Sequence, residues 1–314
     1  MSNPALSEPE NFWTSKLFGY LCGTLGMLIW SGWVVVSRYG VQQTLTPIDI
    51  TLVRYLTAAA LILPFLVNRW MKRGWWHGLS FFQALVITTG IGTPYAVMAY
   101  GGFAYAPAAH AGIFINGAVP VFVALLLFLW IRQKVSLNRL ISILFLVAGC
   151  VLVGWSSFSG DSGQAVWFGD LLFLGAGLFF ALYTVSVGLW GVRPAQAMTV
   201  VPSFSLVMIL IIWLAGFGES HLRMTAVEDW PWEEVIFQAV YQGPIVTLLA
   251  MSCFVKTALI LGPSKQATFT AMVPAGATVL ALLVLGEVPS VETVIGLGVV
   301  TGGIVLSLRR SSDA

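Results

Sequence analysis

Long runs of apolar residues, separated by short polar connections, extend along most of the chain. A helix needs about 20 such residues to cross a hydrocarbon core roughly 30 Å thick. Runs of this kind cover approximately residues 17–38, 48–67, 79–103, 108–131, 138–157, 166–190, 195–217, 235–260, 265–285 and 291–308. The pattern therefore predicts an all-α integral membrane protein with ten transmembrane helices.

Two connections are longer than the others, at residues 69–76 and 219–234. The second contains five acidic residues and two tryptophans. Because Trp concentrates at the headgroup level of a bilayer, we expect residues 219–234 to form an interfacial loop or a short surface helix.

The basic residues are distributed unevenly between alternate connections. Eleven Lys and Arg residues fall on one side, only Arg38 and Arg223 fall on the other, and Arg54 and Lys256 fall within helices. Cytoplasmic loops carry an excess of Lys and Arg, so both termini are expected in the cytoplasm, which an even number of helices allows. Residues 1–15 form the predicted cytoplasmic tail, and the apolar run after Lys16 is expected to stay in the protein because no secretory signal precedes it.

Composition excludes several classes of function. Hydrophobic residues make up 58% of the chain and charged residues only 9%, against roughly 25% charged residues in soluble domains. The net charge of +2 and the lack of a basic stripe argue against nucleic-acid binding. The sequence has no P-loop, HExxH or GxSxG motif, so we expect no cofactor, no metal site and no catalytic residue. Cys22, Cys150 and Cys253 are interpreted as small buried hydrophobes.

The chain also repeats itself at a constant offset. Val119-Pro120, Ser136 and Gly149 recur 154 positions later as Val273-Pro274, Ser290 and Gly303. Apolar segments resemble one another in general, but that alone does not explain one offset at three separate marks. Each copy contains five predicted helices, an odd number, so the second lies inverted. We predict two repeats, residues 16–158 and 165–310, around a central cavity with the substrate site near the midplane.

Several local motifs accompany this repeat. They are Trp30-Ser31-Gly32, Thr46-Pro47 followed by Arg54, the run from Tyr100 to Ala109, and Leu285-Gly286-Glu287 between the last two helices. Together they resemble the drug/metabolite transporter superfamily in its ten-helix form with two EamA-type repeats. The first repeat departs from the pattern at Ile131-Arg132-Gln133, where an acidic residue would be common.

The resemblance implies a multi-pass permease of the inner (plasma) membrane, most often an exporter of amino acids or other metabolites. It implies a basket of helices in which the first, third, fourth, sixth, eighth and ninth line the cavity. Relatives carry nucleotide sugars, triose phosphates or drugs, so the resemblance does not fix the substrate. The first helix lacks the Glu of the small cationic-drug exporters, which counts against cationic drugs.

Polar side chains inside a membrane are costly, so they are functional candidates. His110 and Asn116 correspond through the repeat to Gln266 and Thr270, and we predict that all four face the cavity and bind a polar substrate. The alternative is hydrogen bonding between neighbouring helices. His110 is also a candidate for proton coupling, because histidine is the usual side chain for that role.

Two further positions join these candidates. Tyr100 corresponds to Lys256, which either offers a cation to a substrate carboxylate or extends its ammonium to the cytoplasmic surface. Arg54 lies deeper in its helix and is interpreted as a tie between helices through bonds to carbonyl groups.

Aromatic residues supply another set of candidates. Trp30 and Trp33 share one helix face, and with Tyr95 and Tyr183 they are predicted to form an aromatic cavity wall suited to apolar or aromatic solutes. The alternative is ordinary packing or an interfacial belt.

Prolines interrupt several predicted helices, and each removes a backbone hydrogen bond. The positions are Pro94, Pro120, Pro202, Pro244 and Pro274. Because small residues lie beside some of them, we predict bending that gates the cavity at Pro94, Pro120, Pro244 and Pro274. Close packing of the small residues is the alternative.

These expectations favour a secondary transporter that exports small metabolites, with amino acids first among the substrates, by alternating access. A membrane-embedded enzyme would need a nucleophile, base or metal set, which the sequence does not present. A scaffold or sensor would need a larger soluble part. The expected partners are a small-molecule substrate and the lipid bilayer, and the protein is a monomer or a homodimer. No carboxylate is expected in mid-membrane, which leaves both facilitated diffusion and proton exchange open. The acids expected at helix ends are Asp49, Asp170, Glu219, Glu287 and Glu292.

Overall fold

The computed structural model describes residues 12–73, 78–133, 137–159 and 165–309. Most of the predicted N-terminal tail lies outside these residues. The described residues form helices and connections without any β-strand, which confirms the all-α prediction. The long helices are α1 (Lys16–Gln42), α2 (Pro47–Arg73), α3 (Phe81–Tyr105), α4 (Ala108–Ile131), α5 (Leu137–Ser159), α6 (Val166–Trp190), α7 (Pro194–Leu214), α8 (Trp232–Leu261), α9 (Pro263–Ala271 and Val273–Leu285) and α10 (Val291–Arg309).

Length and apolar composition make most of these helices suitable for crossing a bilayer. Among the described residues, eight helices satisfy both conditions, namely α1–α4 and α6–α9. Shorter apolar stretches lie within α5 and α10, at Leu140–Trp155 and Val291–Leu306. Many large apolar side chains on the outer faces are exposed, among them Leu259 (75%) and Leu283 (73%). Such a surface would be unstable in water and is suited to contact with lipid.

Four helices are irregular, and each irregularity lies near one of the predicted prolines. Helix α3 is interrupted at Gly92, two residues before Pro94. Helix α4 contains a π-helical segment, Gly112–Asn116, shortly before Pro120. A longer π-helical segment, Tyr241–Ala250, surrounds Pro244 in α8. Helix α9 is interrupted at Met272, before Pro274. Because proline lacks the N–H that would continue the ladder, these are the places where an i→i−4 pattern fails.

The helices pack in recurrent pairs around a central space. Helix α1 packs against α8 and α9, while α6 packs against α3 and α4. Helix α2 packs against α7, and α5 against α10. The last pair approaches closely at glycines: a Cβ added to Gly149 would lie 3.0 Å from the Gly296 carbonyl oxygen, and one added to Gly296 would lie 3.2 Å from that of Gly149. Small residues of this kind let two membrane helices touch along their backbones.

The bundle has two ends, which differ in the segments that meet there. At the first end, called the terminal end, the start of α1 lies beside the end of α8 at Gly19 and Leu261. Trp190, at the end of α6, contacts Phe82 at the same end. At the second end, called the opposite end, Ala106 lies beside Gly169. The connection 215–231 also reaches the opposite end and contains the short helix His221–Met224 and the 3₁₀ turn Val227–Asp229.

Candidate functional site

A cavity of about 230 Å³ lies in the centre of the bundle. Residues of α1, α2, α3, α4, α6, α7, α8 and α9 line it, and most of them are apolar or aromatic. Besides the hydroxyl and indole groups of its aromatic residues, its polar lining consists of Arg54, Asn116 and Thr247. A mostly apolar pocket with a few polar groups is the usual form of a small-molecule site.

Stacked aromatic rings form one wall of this cavity. The ring centroids of Trp33 and Tyr95 lie 6.4 Å apart with nearly parallel planes. Tyr95 contacts Phe180 at 6.0 Å, and Phe180 stacks on Tyr183 at 6.3 Å. Trp30 also lines the cavity and meets Phe254 edge to face at 4.8 Å. The structure therefore brings the four predicted aromatic residues to one cavity, and their contact with substrate stays a prediction.

Among the described residues that line the cavity, Arg54 is the one with a charged side chain. It is only 9% exposed. Its Nη1 donates a hydrogen bond of 3.0 Å to the Tyr100 hydroxyl, and its guanidinium carbon lies 5.5 Å from the centroid of the Tyr55 ring. The sequence interpretation expected bonds to carbonyl groups, whereas the structure joins α2 to α3 through a tyrosine hydroxyl. The buried Nε of Arg54 has no hydrogen-bond partner among the described residues.

A buried network holds the hydroxyl group that receives Arg54. Tyr100 donates to Gln242 Oε1 at 3.0 Å and accepts a hydrogen bond of 3.4 Å from Trp33 Nε1. Gln242 Nε2 donates to Ser37 Oγ at 3.3 Å and to Gln238 Oε1 at 3.0 Å. Tyr100 thus lies behind Arg54, in its hydrogen-bonded support.

Sequence reasoning missed Gln238 and Gln242, which are at most 1% exposed. Their signal was present, because two amides four residues apart share one face of an otherwise apolar helix.

The other predicted polar residues do not meet at the cavity. Asn116 lines it, but His110 does not. The Nδ1 atom of His110 lies 2.8 Å from Asp170 Oδ1, and Ser157 Oγ donates to Asp170 Oδ2 at 2.6 Å. This pair joins α4 to α6, and the serine adds α5. As expected, Asp170 lies near the start of its helix, α6 (Val166–Trp190), where it is buried at 4% exposed.

The remaining candidates lie outside the cavity lining. Gln266 and Thr270 bond to each other within α9 at 2.9 Å. Lys256 is exposed on α8. The cavity lining contains Pro202 but not Pro94, Pro120, Pro244 or Pro274. Substrate contact by the first three residues, and gating by these four prolines, stay predictions.

An ion pair closes the bundle at the opposite end. Arg38 Nε and Glu287 Oε1 lie 2.7 Å apart, with side chains that are 10% and 19% exposed. Arg38 Nη1 also donates to the Phe103 carbonyl oxygen. Glu287 Oε2 accepts a hydrogen bond of 2.8 Å from the backbone N–H of Ala108. These bonds connect the last turns of α1, the junction of α3 with α4, and the connection between α9 and α10.

A second polar cluster lies at the same end. Asp49, at the start of α2, accepts hydrogen bonds of 2.5 Å from the Ser220 hydroxyl and 2.9 Å from the His221 backbone N–H. Trp213 Nε1 donates to the same Ser220 hydroxyl at 2.9 Å. This cluster fixes the connection after α7 to the start of α2.

The cavity extends instead toward the terminal end. Its lining includes Val192 and Pro194 in the connection between α6 and α7, and Pro194 is exposed. Toward the opposite end, the last lining residues are Val34, Arg54 and Ala111, which lie on the cavity side of the Arg38–Glu287 ion pair. Between described residues, the Arg38–Glu287 ion pair and the hydrogen-bonded pair His110–Asp170 both lie toward the opposite end.

Comparison with known proteins gives a family and a fold. The family model described as "EamA-like transporter family" matches residues 17–155 and 167–309. The chain is 25% identical over 218 residues to a Bacillus subtilis (strain 168) protein called "Uncharacterized transporter YetK", covering 68% of this chain and 64% of that protein, just under two thirds of its length. It is 24% identical over 305 residues to an uncharacterized transporter of Archaeoglobus fulgidus, covering 93% and 97%.

A solved structure described as "Crystal structure of protein" superposes with a TM-score of 0.56 at 18% identity, covering 93% of this chain and 98% of that one. At this identity the likeness establishes a shared fold and nothing about substrates.

Proposed function

The chain belongs to the EamA-like transporter family, and we propose that it is a secondary transporter that exports small metabolites, amino acids first among them, by alternating access. Its family and the names of its relatives indicate a multi-pass membrane transporter rather than an enzyme. One observation carries the proposal. The lining of the central cavity includes exposed Pro194 at the terminal end, and toward the opposite end it stops at Val34, Arg54 and Ala111, short of the Arg38–Glu287 ion pair.

The proposed architecture is ten transmembrane helices in two inverted repeats, residues 16–158 and 165–310. The packing supports it, because inversion exchanges α1 with α6, α3 with α8 and α4 with α9. The contacts of α1 with α8 and α9 then match those of α6 with α3 and α4. The irregular helices also fall into these pairs, α3 with α8 and α4 with α9.

The terminal end is proposed to face the cytoplasm in the inner membrane, since the basic residues of the sequence favour that side. Cytoplasmic solutes would then enter the cavity directly. Release requires that the opposite end open while the terminal end closes around Val192 and Pro194. Movement of one set of helices against the other, with bending at Pro94, Pro120, Pro244 and Pro274, is the proposed route.

The cavity size supports small solutes. Its volume of about 230 Å³ lies below the ~300 Å³ at which drug-sized pockets begin. This counts against nucleotide sugars and favours solutes of amino-acid size.

Flux into proteoliposomes tests the proposal. A panel of radiolabelled amino acids is compared with protein-free liposomes, with and without a pH gradient. Saturable uptake of one class, reduced at least tenfold in Trp33→Ala and Asn116→Ala, is the expected result. Phe65→Ala serves as the control, because this aromatic residue of α2 is 69% exposed and lies outside the cavity.

A response to the pH gradient would distinguish proton exchange from facilitated diffusion. Folded protein that moves no amino acid in the panel would refute the amino-acid assignment. Flux that survives both cavity substitutions would refute the route through this cavity.

A further inference from the structure

We propose that Arg54 binds a carboxylate of the transported solute, so that the substrates are small acids or amino acids with an apolar or aromatic body. This inference rests on the proposed function and adds the substrate class to it. It starts from a buried cation that the protein itself does not neutralise.

Arg54 has no carboxylate partner within 4 Å among the described residues, and its Nε has no hydrogen-bond acceptor there. Its surroundings are tyrosines: the hydroxyl of Tyr100 and the ring of Tyr55. A buried charge without a counter-charge is costly, and the cost is greatest in a membrane interior. A ligand that supplies the missing negative charge would remove this cost each time it binds.

The guanidinium group is held in a defined orientation. Nη1 is bonded to Tyr100, whose hydroxyl is held in turn by Gln242 and Trp33. The Tyr55 hydroxyl is also held, by a hydrogen bond of 3.0 Å to the Ile91 carbonyl oxygen. The Nε atom makes no hydrogen bond to the described residues. Two neighbouring N–H groups of Arg match the two oxygens of a carboxylate, and a fixed guanidinium loses little freedom when it binds one.

The rest of the cavity suits the other part of such a solute. Trp33 stacks on Tyr95, and Tyr95 contacts the tilted ring of Phe180, so that these three rings line the same cavity as Arg54. Among the described residues, the lining contains no acidic side chain, so a solute with a net positive charge would meet Arg54 without a compensating group. The site therefore favours anions and zwitterions over cations.

The test compares probes that share one body and differ in their charged group. Binding of L-phenylalanine, 3-phenylpropionate, phenylphosphate and phenethylamine to the purified full-length protein is measured by Trp fluorescence, and L-leucine with 4-methylpentanoate repeats the comparison on an aliphatic body. The two carboxylate probes of at least one body should bind at least about tenfold more tightly than phenethylamine, because a hydrogen-bonded ion pair is worth about a factor of ten or more. The relative affinities of the amino acid and the simple acid identify which of these two classes supplies the carboxylate that Arg54 binds.

The variant that tests the anchor is Arg54→Gln, which should weaken carboxylate binding about tenfold or more and leave phenethylamine unchanged or bound more tightly. Arg54→Lys keeps the charge but loses the paired donors, so it should recover only part of the affinity. Lys16→Gln removes one positive charge from an exposed position outside the cavity and should change nothing. Thermal unfolding in detergent establishes that each variant is folded, and Arg54→Lys provides the second variant if Arg54→Gln is not.

Equal binding of acid and amine, a carboxylate affinity independent of Arg54, or no binding of any probe to folded wild-type protein would overturn the inference. Tighter binding of phenylphosphate than of the carboxylates would overturn the carboxylate assignment. Carboxylate binding that depends on Arg54 without flux in proteoliposomes would refute the transporter and leave the anchor. Flux that does not depend on Arg54 would refute the role of Arg54 as anchor and leave the transporter assignment.

Discussion

The two ends of the helix bundle are held together by different kinds of contact. At the opposite end, Arg38, Glu287 and Asp49 make directional bonds between segments far apart in sequence. At the terminal end, apolar Val192 and exposed Pro194 border the cavity. Hydrogen bonds and ion pairs of charged side chains require a defined geometry and are lost together when the segments separate. The energy of apolar contact, by comparison, changes gradually with distance. In the proposed transport cycle, the opposite end is therefore the gate that is shut in this conformation, and the largest effects of substitution are expected there.

Removing the charge of Glu287 should produce the largest effect. Glu287→Gln leaves Arg38 buried without a counter-charge, a change that costs about 3–5 kcal/mol in buried pairs. This cost falls only on the conformation in which the opposite end is closed, so the substitution should favour opening of that end. Spin labels at Tyr39→Cys and Val288→Cys, in a background without the three native cysteines, should then report longer and broader distances.

The matched control is Glu292→Gln, which removes an exposed acid from the first turn of α10 at the same end. It should leave the distance distribution as in the parent protein. An unchanged distribution in Glu287→Gln would show that the ion pair does not hold this end closed.

Breaking the His110–Asp170 pair should reduce stability without moving the gate. Asp170→Ala leaves His110 and Ser157 buried without their shared acceptor, and we expect a loss of about 2–4 kcal/mol, near the range for buried pairs. Thermal unfolding in detergent measures it, with Glu292→Gln again as the control. A spin-label distance at the opposite end that lengthens as in Glu287→Gln would contradict the distinction between this pair and the gate.

Ser220→Ala tests the second polar cluster with a smaller change. The variant removes a hydroxyl that donates to Asp49 and accepts from Trp213, so the loss should be about 1–3 kcal/mol. The melting temperature should fall. Ser290→Ala, which loses the hydrogen bond that Ser290 Oγ accepts from the Thr293 backbone N–H at the start of α10, provides a comparison at another helix start. A loss no larger than in Ser290→Ala would assign Ser220 a merely local role.

The smallest effect is expected at the terminal end. Val192→Ala removes two methyl groups from an apolar contact, at a cost of about 1 kcal/mol per group or less. Unfolding temperature and spin-label distances at the opposite end should both change little. A shift of those distances comparable to that in Glu287→Gln would show that the terminal end also contains a gate in its closed state.

Local sequence features predicted the helices well, because a fixed hydrocarbon thickness demands a fixed length of apolar chain. The run 166–190 matches α6, and the runs at 48–67 and 235–260 are extended to Pro47–Arg73 and Trp232–Leu261. The aromatic lining was also predictable, since Trp30 and Trp33 share a helix face and both reach the cavity.

Partners distant in sequence were not predictable in the same way. Arg38 and Glu287 are 249 residues apart, and His110 and Asp170 are 60 apart. Nothing in the local sequence around one residue of each pair specifies its partner. Arg38 was interpreted from its position as a charge at a helix end, and His110 as a cavity residue. Which side chains are buried, and toward which neighbour they point, depends on the packing of several helices. In a helix that is apolar on every face, the sequence hardly shows which face packs against which neighbour.

The sidedness of the cavity tests the central claim most directly. In a cysteine-free background, Asn116→Cys is labelled by a membrane-impermeant thiol reagent in inside-out and in right-side-out vesicles. The account predicts fast labelling from the cytoplasmic side and little from the other, because the Arg38–Glu287 pair separates the cavity from the opposite end. Labelling from the outer side alone, or equally from both sides, would contradict a transporter closed at that end.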